Sequence, residues 1–175
     1  MSKPIPEEVL NFVPEAPLEL DREKYVCSVR SAPRGSAAGL AGDTNEHLKT
    51  ILDDEAATDL LVDAAELLAR AQVPETIVHA IALGSLTASL KDTGRVRGIV
   101  AGDTFRRGVA RTLAEQHNQE FEDACLPFQF ALSTKAGTDC VSRMVRVLTE
   151  LDSQKTIVSI DGIGAFDHIK RRSML

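Results

Sequence analysis

Residues 81–101 read IALGSLTASLKDTGRVRGIVA and contain the clearest fold signal in the chain. Two largely apolar runs, 81–90 and 96–101, are separated by the polar segment 91–95, in which Gly94 lies near the tip. Strand-like runs joined by a short glycine-containing turn are typical of a β-hairpin. The sequence on both sides has helical periodicity, so the chain is predicted to be an α+β protein.

Three helices are predicted before the hairpin. Thr44 is placed to cap a short helix that ends at Leu52, and either Asp53 or Asp54 is placed to cap the next. Pro74 is expected to stop that second helix and to open a third. One apolar stripe is expected along the second helix, formed by Ala57, Leu60, Leu61, Ala64, Leu67, Leu68 and Ala71.

After the hairpin, two more helices and one strand are expected. Thr104 is predicted to cap a long helix that reaches about Glu122. Thr138 is predicted to cap another, whose inner face would carry Val141, Met144, Val145 and Leu148. Residues 156–160 are uniformly strand-like and lead directly into Asp161.

The first 35 residues differ in composition from the rest. They hold five of the seven prolines and show no sustained period, which predicts an extended or partly disordered lead. Residues 36–175 are therefore predicted to form the folded part.

The bulk composition bears on whether the chain binds nucleic acid. A formal net charge of −6 and an aromatic content of 4% argue against a surface that binds nucleic acid throughout. Locally the balance reverses, because residues 91–111 contain six basic and two acidic side chains. Such a basic segment on an acidic chain can attract phosphate locally.

The chain is expected to be intracellular. Its three scattered cysteines indicate no disulfide framework, and no secretory leader or membrane-spanning run is present in the sequence. The four histidines make no ligand-spaced pair with each other or with a cysteine, which argues against zinc. Nucleus and cytoplasm are not distinguished by these features.

The strongest single candidate for chemistry is Asp161. A short apolar strand that ends in Asp-Gly places a carboxylate at the end of a sheet, where ligand sites gather. Taken alone, this pattern also fits a capping aspartate. The cations Lys91, Arg95 and Arg97 flank the hairpin turn and are placed to reach a triphosphate, although a solvated charged turn has the same pattern.

The order of these segments resembles the reverse transcriptases of non-LTR (LINE-like) retrotransposons. The likeness covers about residues 37–175 and rests on four segments. They are Gly39-Leu40 with Glu46-His47-Leu48-Lys49, the hairpin region 86–107, Pro127-Phe128-Gln129-Phe130 with Gly137-Thr138-Asp139, and Asp161 with Ala165-Phe166-Asp167. One departure is Gly98 after Arg97, where the family usually has proline.

The resemblance assigns metal chemistry to the Asp161 segment. Asp161 would be one of two carboxylates that hold a catalytic pair of Mg²⁺ ions, and the Gly162 carbonyl would be a backbone ligand. Phe166 would be the steric gate that occupies the space of a ribonucleotide 2′-hydroxyl.

The resemblance also assigns roles to the cations. Arg97 and Lys91 would hold the triphosphate of the incoming nucleotide. Arg95, Arg106 and Arg107 would bind nucleic acid, with Arg106 and Arg107 lining the template or supporting the fingers.

The fold implied is an incomplete right-hand polymerase: a helical N-terminal part, the fingers hairpin and the first palm strand. The implied reaction is RNA-directed synthesis of DNA, with an RNA template, a DNA primer and deoxynucleoside triphosphates. The sequence contains no Tyr/Phe-x-Asp-Asp box to supply the second metal-binding carboxylates. Alone the chain is expected to be inactive, and the missing palm and thumb would be needed to complete it.

Two other functions stay open from the sequence. The chain could be a non-catalytic remnant that binds nucleic acid through its basic segment. It could also be an unrelated small enzyme that uses Asp161 in Mg²⁺-dependent phosphoryl transfer.

Overall fold

The structure is a computed structural model that describes residues 7, 11, 13, 15–92, 94–125, 127, 129–131 and 135–160. The chain divides into two compact units. One is Leu18–Leu126, and the other combines Met1–Pro17 with Pro127–Leu175. The described elements are of mixed α and β type, which confirms the predicted α+β class; the polymerase fold stays a prediction.

The unit Leu18–Leu126 contains the hairpin and most of the described helices. Their bounds are α1 (Arg22–Ser31), α2 (Asn45–Ile51), α3 (Glu55–Ala69), α4 (Glu75–Ala82), β1 (Gly84–Leu90), β2 (Val96–Gly102), α5 (Thr104–Gln116) and α6 (Asn118–Cys125). The predicted caps of α2 and α3 are confirmed at Thr44 and Asp54. The Asp54 side chain accepts a hydrogen bond from the Ala57 backbone N–H at 2.8 Å.

The hairpin is confirmed, with one change at its start. Strands β1 and β2 pair antiparallel from Gly84 opposite Gly102 to Leu90 opposite Val96. The predicted first strand began at Ile81, but α4 continues through Ala82 and its last turn is closed by a bond from the Leu83 N–H to the His79 carbonyl (3.2 Å). Backbone groups committed to a helix cannot also join a sheet.

The hydrophobic core lies among α1, α2, α3 and α5. Its buried apolar members are Leu20, Tyr25, Val29, Leu48, Leu52, Val62, Ala65 and Val109. Three of these eight lie before residue 36, so the predicted extended lead is wrong for residues 22–31. Asp21 caps α1 by accepting from the Lys24 N–H at 2.9 Å, and the helix is held by Tyr25, which is fully buried.

The apolar stripe predicted for α3 is confirmed only in part, at Leu61 and Leu68, which are partly buried against the core. The buried residues are Thr58, Val62 and Ala65, whereas Leu60 is 71% exposed. Alanine and leucine occur on several sides of this helix, so periodicity alone left more than one candidate face. The face that is buried is the one that meets α1, α2 and α5.

The helix predicted from Thr104 to Glu122 is two helices. Asp103 is the cap, accepting from the Arg106 N–H at 3.2 Å, and Thr104 is the first, buried residue of α5. α5 ends at Gln116, His117 follows it as the C-cap, and α6 begins at Asn118.

The second unit contains α7 (Gly137–Leu151) among its described residues. Ala136 precedes it with a φ of +54°, and Thr138 lies inside the helix and does not cap it. Val141, Met144 and Leu148 are exposed, so the predicted inner face is not covered by the described residues.

Residues 156–160 are not a strand. They have no regular secondary structure, and Ile160 is 90% exposed. A strand forms only beside a partner that takes its backbone hydrogen bonds. In the described chain the sheet has two strands, both from the hairpin, and each is already paired with the other.

Candidate functional site

The hairpin turn is closed by two backbone hydrogen bonds. The Lys91 N–H donates to the Arg95 carbonyl at 2.9 Å, and the Gly94 N–H donates to the Lys91 carbonyl at 2.8 Å. Gly94 has a φ of +74°, a left-handed conformation that glycine adopts without a Cβ clash. The turn therefore holds Lys91 and Arg95 at the end of the strands.

The two faces of the hairpin differ in chemistry. Arg97 lies opposite Ser89, and side chains alternate along a strand, so Arg97 shares its face with Ser85, Thr87 and Ser89. The other face carries four exposed apolar residues: Leu86, Leu90, Val96 and Val100. One side of the hairpin therefore carries the hydroxyl groups of β1 beside Arg97 and the apolar Ile99 of β2.

The three cations Lys91, Arg95 and Arg97 are exposed. Among the described residues, the ion pairs involve other side chains, and these three make none. Asp92 is the acidic residue of the described turn, so the three cations and one carboxylate give segment 91–97 a net charge of +2. This end of the hairpin offers exposed charge to an anion.

Arg106 and Arg107 are engaged by the protein itself. Arg106 donates to the Ala82 carbonyl at 3.0 Å, which ties α5 to the end of α4. Arg107 donates to the Ala37 carbonyl at 2.6 Å and to the Thr104 hydroxyl at 3.0 Å. These bonds support the base of the hairpin, and they fit the supporting role that the sequence offered as an alternative to template contact.

Asp161, Gly162 and Phe166 lie outside the described residues, and so does the Mg²⁺ site assigned to them. Within the described part of the chain, no group of three His, Cys, Asp or Glu residues could hold a metal ion. The structure therefore brings together the hairpin cations and leaves the metal site a prediction.

Two side chains in the unit Leu18–Leu126 have shifted pKa values. Burial raises the pKa of the Tyr25 hydroxyl far above its ordinary value. The backbone N–H of Gly35 donates to the Glu46 carboxylate at 2.8 Å and lowers the pKa of that carboxyl. Neither group lies on the hairpin.

The row of hydroxyl groups on β1 was missed in the sequence. Its signal was readable, because Ser85, Thr87 and Ser89 recur with the period of two that places residues on one face of a strand. Hydroxyl groups on one face of a strand and apolar groups on the other predict that the two faces have different surroundings, one polar and one apolar.

Comparisons of this chain with models of known protein families, with curated proteins and with solved structures find no match. In the described residues, none of the helices has the length and apolar character needed to cross a bilayer.

Proposed function

We propose that the chain is the fingers and first palm segment of a reverse transcriptase, and that its hairpin binds the triphosphate of a deoxynucleotide. The observation that carries the proposal is the cluster of Lys91, Arg95 and Arg97 at one end of the hairpin, where all three are exposed and make no ion pair with the described residues. The motif order described above supports the choice of polymerase class.

The chemistry of the cluster suits a polyphosphate. A guanidinium binds phosphate oxygens through two parallel N–H groups, and an ammonium adds a compact charge. Ser89 lies beside Arg97 across the hairpin and offers a neutral donor to the same group. Arg97 and Lys91 would hold the triphosphate, and Arg95 would contact the template.

The metal part of the proposal rests on the resemblance. Asp161 and the Gly162 carbonyl would hold Mg²⁺, which neutralises the charge of the phosphates when it is bound. Phe166 would exclude a 2′-hydroxyl beside them. A second set of carboxylates would have to come from further palm sequence, so this chain alone is expected to bind and not to polymerise.

A non-catalytic nucleic-acid-binding function is the second candidate. It is favoured by the same three cations, because electrostatic binding to a phosphate backbone needs no metal site. The two candidate functions differ in the ligand that the hairpin would bind. The polymerase fragment would bind free deoxynucleoside triphosphate, and the remnant would bind only polymeric nucleic acid.

The test measures binding of a labelled RNA–DNA primer–template and of a deoxynucleoside triphosphate by fluorescence anisotropy and calorimetry. The variants are Lys91→Gln, Arg95→Gln and Arg97→Gln. Arg30→Gln is the matched control, since Arg30 is an exposed arginine on α1 that makes no ion pair in the described residues. Each hairpin variant that loses one phosphate contact should reduce the salt slope by about 0.7–0.9.

We expect Arg97→Gln and Lys91→Gln to abolish triphosphate binding, and we expect Arg30→Gln to leave it unchanged. Primer–template binding without any triphosphate binding would select the non-catalytic remnant. Equal losses in all four variants would show that net charge, and not the hairpin, controls binding. Mg²⁺-dependent phosphoryl transfer that needs Asp161 but none of the hairpin cations would instead favour the unrelated enzyme.

A further inference from the structure

A cavity of about 160 Å³ lies between α1, α2 and α5 within the unit Leu18–Leu126. Its wall includes Ser28 from α1, Asn45 from α2, and Thr104, Arg107 and Arg111 from α5. This volume accommodates several water molecules or one tetrahedral anion with water. The hairpin contributes no residue to it, so the cavity is separate from the site described above.

Two polar atoms on this wall are buried and have no hydrogen-bonding partner among the described residues. One is the Ser28 hydroxyl, on a residue only 3% exposed, and the other is the Nε–H of Arg107. Buried polar groups in proteins are almost always hydrogen-bonded, so a pair of unmatched donors beside one cavity indicates a ligand that accepts. The Nη2 group of Arg107 donates to the Ala37 carbonyl and to the Thr104 hydroxyl, and these bonds hold the guanidinium in place.

Neighbouring carbonyl groups are already used. The Ser28 carbonyl accepts from the Ser31 hydroxyl at 3.2 Å. The Pro33 carbonyl accepts from the Asn45 amide at 2.7 Å and from the Ser36 hydroxyl at 3.1 Å. Donor groups, and not these carbonyl oxygens, are therefore left to bind a ligand.

The charge of the wall has one sign. Of the described residues that line the cavity, Arg107 and Arg111 are the ionisable ones, and none of these lining residues carries a carboxylate. Arg111 pairs with Glu115 at 2.8 Å one helical turn further along α5, and this pair is about half exposed. Because an arginine carries five N–H donors in a planar fork, Arg111 can keep that pair and still donate to an anion.

We propose that this cavity binds a phosphate-sized oxyanion, either free phosphate or the phosphoryl group of a small molecule. The Arg107 Nε–H and the Ser28 hydroxyl donate to its oxygens, and Arg111 supplies the second positive charge. Such charge-assisted bonds from arginine are short and directional, which suits a tetrahedral anion.

The test titrates the full chain with inorganic phosphate and, separately, with a nucleoside 5′-monophosphate, at constant ionic strength set with chloride. Calorimetry measures binding, and the melting temperature is followed in parallel. The variants are Ser28→Ala and Arg111→Gln. Arg146→Gln is the matched control, because Arg146 makes the same ion pair with Glu150, four residues on and also at 2.8 Å, and does not line the cavity.

The expected result is saturable binding of one phosphate per chain, weakened about tenfold by each cavity variant and unchanged in Arg146→Gln. Ser28→Ala should melt no lower than the parent chain in chloride, because it removes a hydroxyl without a partner; this separates loss of binding from loss of folding. Saturable binding of the monophosphate as well would assign recognition of the phosphoryl group, and binding of phosphate alone would assign the free anion.

Three results would overturn the proposal. They are no saturable binding of either ligand, equal weakening in Arg146→Gln and Arg111→Gln, and unchanged binding in Ser28→Ala. None of these results bears on the hairpin, whose variants are measured separately.

Discussion

The hydroxyl of Thr104 donates a hydrogen bond to the backbone carbonyl of Asp43, 61 residues earlier in the chain, at 2.5 Å. Thr104 is 1% exposed and is the first residue of α5, and Asp43 immediately precedes the cap of α2. The same hydroxyl accepts from Arg107. One side chain thus joins the segment before α2 to the helix that follows the hairpin.

Thr104→Val should destabilise the protein by about 0.5–1.5 kcal/mol, because it removes a partly buried hydrogen bond to the Asp43 carbonyl while the shape of the side chain is kept. The measurement is the free energy of unfolding from urea titration. Thr50→Val is the control, since the Thr50 hydroxyl is exposed and bonds only to the Glu46 carbonyl of its own helix. Equal losses of unfolding free energy in both variants would show that the bond between Thr104 and Asp43 stabilises the protein no more than a bond within one helix does.

Tyr25→Phe should leave the stability at neutral pH unchanged or slightly raised. The Tyr25 hydroxyl is buried and has no hydrogen-bonding partner in the described part of the chain. Its removal therefore leaves no other polar group unpaired and removes the cost of desolvating the hydroxyl. Tyr25→Ala should cost about 3–5 kcal/mol, because it empties a fully buried position in the core. A large loss in Tyr25→Phe, measured by urea titration, would contradict this account.

Alkaline pH should unfold the protein through the same residue. The pKa of Tyr25 is raised in the folded state, so above pH 10 the unfolded chain loses a proton that the folded chain keeps, and stability falls as the pH rises. Tyr25 is the single tyrosine, and the chain has no tryptophan, so tyrosinate absorbance reports on this residue alone. Ionisation should coincide with loss of helical circular dichroism. Ionisation in a chain that stays folded would contradict the prediction.

Glu46→Gln should remove part of the acid sensitivity of the protein. The Gly35 N–H lowers the pKa of Glu46 in the folded state, so the contribution to stability is full above the ordinary value near 4.5 and is lost as the pH falls through the lower, folded value. The urea midpoint is measured from pH 7 downward. Glu75→Gln is the control, because Glu75 also lies in the first turn of its helix. Parallel pH profiles for the two variants would remove the Gly35 bond as the cause.

Gly94→Ala should loosen the hairpin by about 1 kcal/mol, because alanine is strained at a φ of +74°, and Gly94→Asn should cost less. Hydrogen exchange of the β1 and β2 amides should then be about fivefold faster in Gly94→Ala. Gly98→Ala is the control in the same hairpin: its added Cβ would meet only the Leu86 side chain, at 3.4 Å. If exchange were faster only in Gly98→Ala, the left-handed conformation of Gly94 would not be what keeps the hairpin rigid.

Local signals in the sequence predicted several elements well. Thr44 and Asp54 cap their helices because a cap needs only a side-chain oxygen and the next turn of backbone. The hairpin formed where two short runs flank Gly94, since its pairing partners are neighbours along the chain. Residues 156–160 have equally strand-like composition and are not a strand, because their partner would have to come from elsewhere.

The candidate hairpin site could be predicted in part. Lys91, Arg95 and Arg97 were identified by their positions around a turn, and the structure adds that they are exposed and unpaired among the described residues. Arg106 and Arg107 had the same charge and a similar place in the sequence. Only tertiary contacts showed that Ala82 and Ala37, distant along the chain, take up their donors.

The α+β class, the hairpin and the caps of α2 and α3 could therefore be predicted from the sequence, because each depends on residues within a few positions of each other. Tertiary structure alone decided that Tyr25 is a core residue, which side of α3 is buried, and that Ser28, Arg107 and Arg111 line one cavity. The physical reason is that burial and the pairing of polar groups depend on which helices meet. That choice depends on all their surfaces together, and no local pattern encodes it.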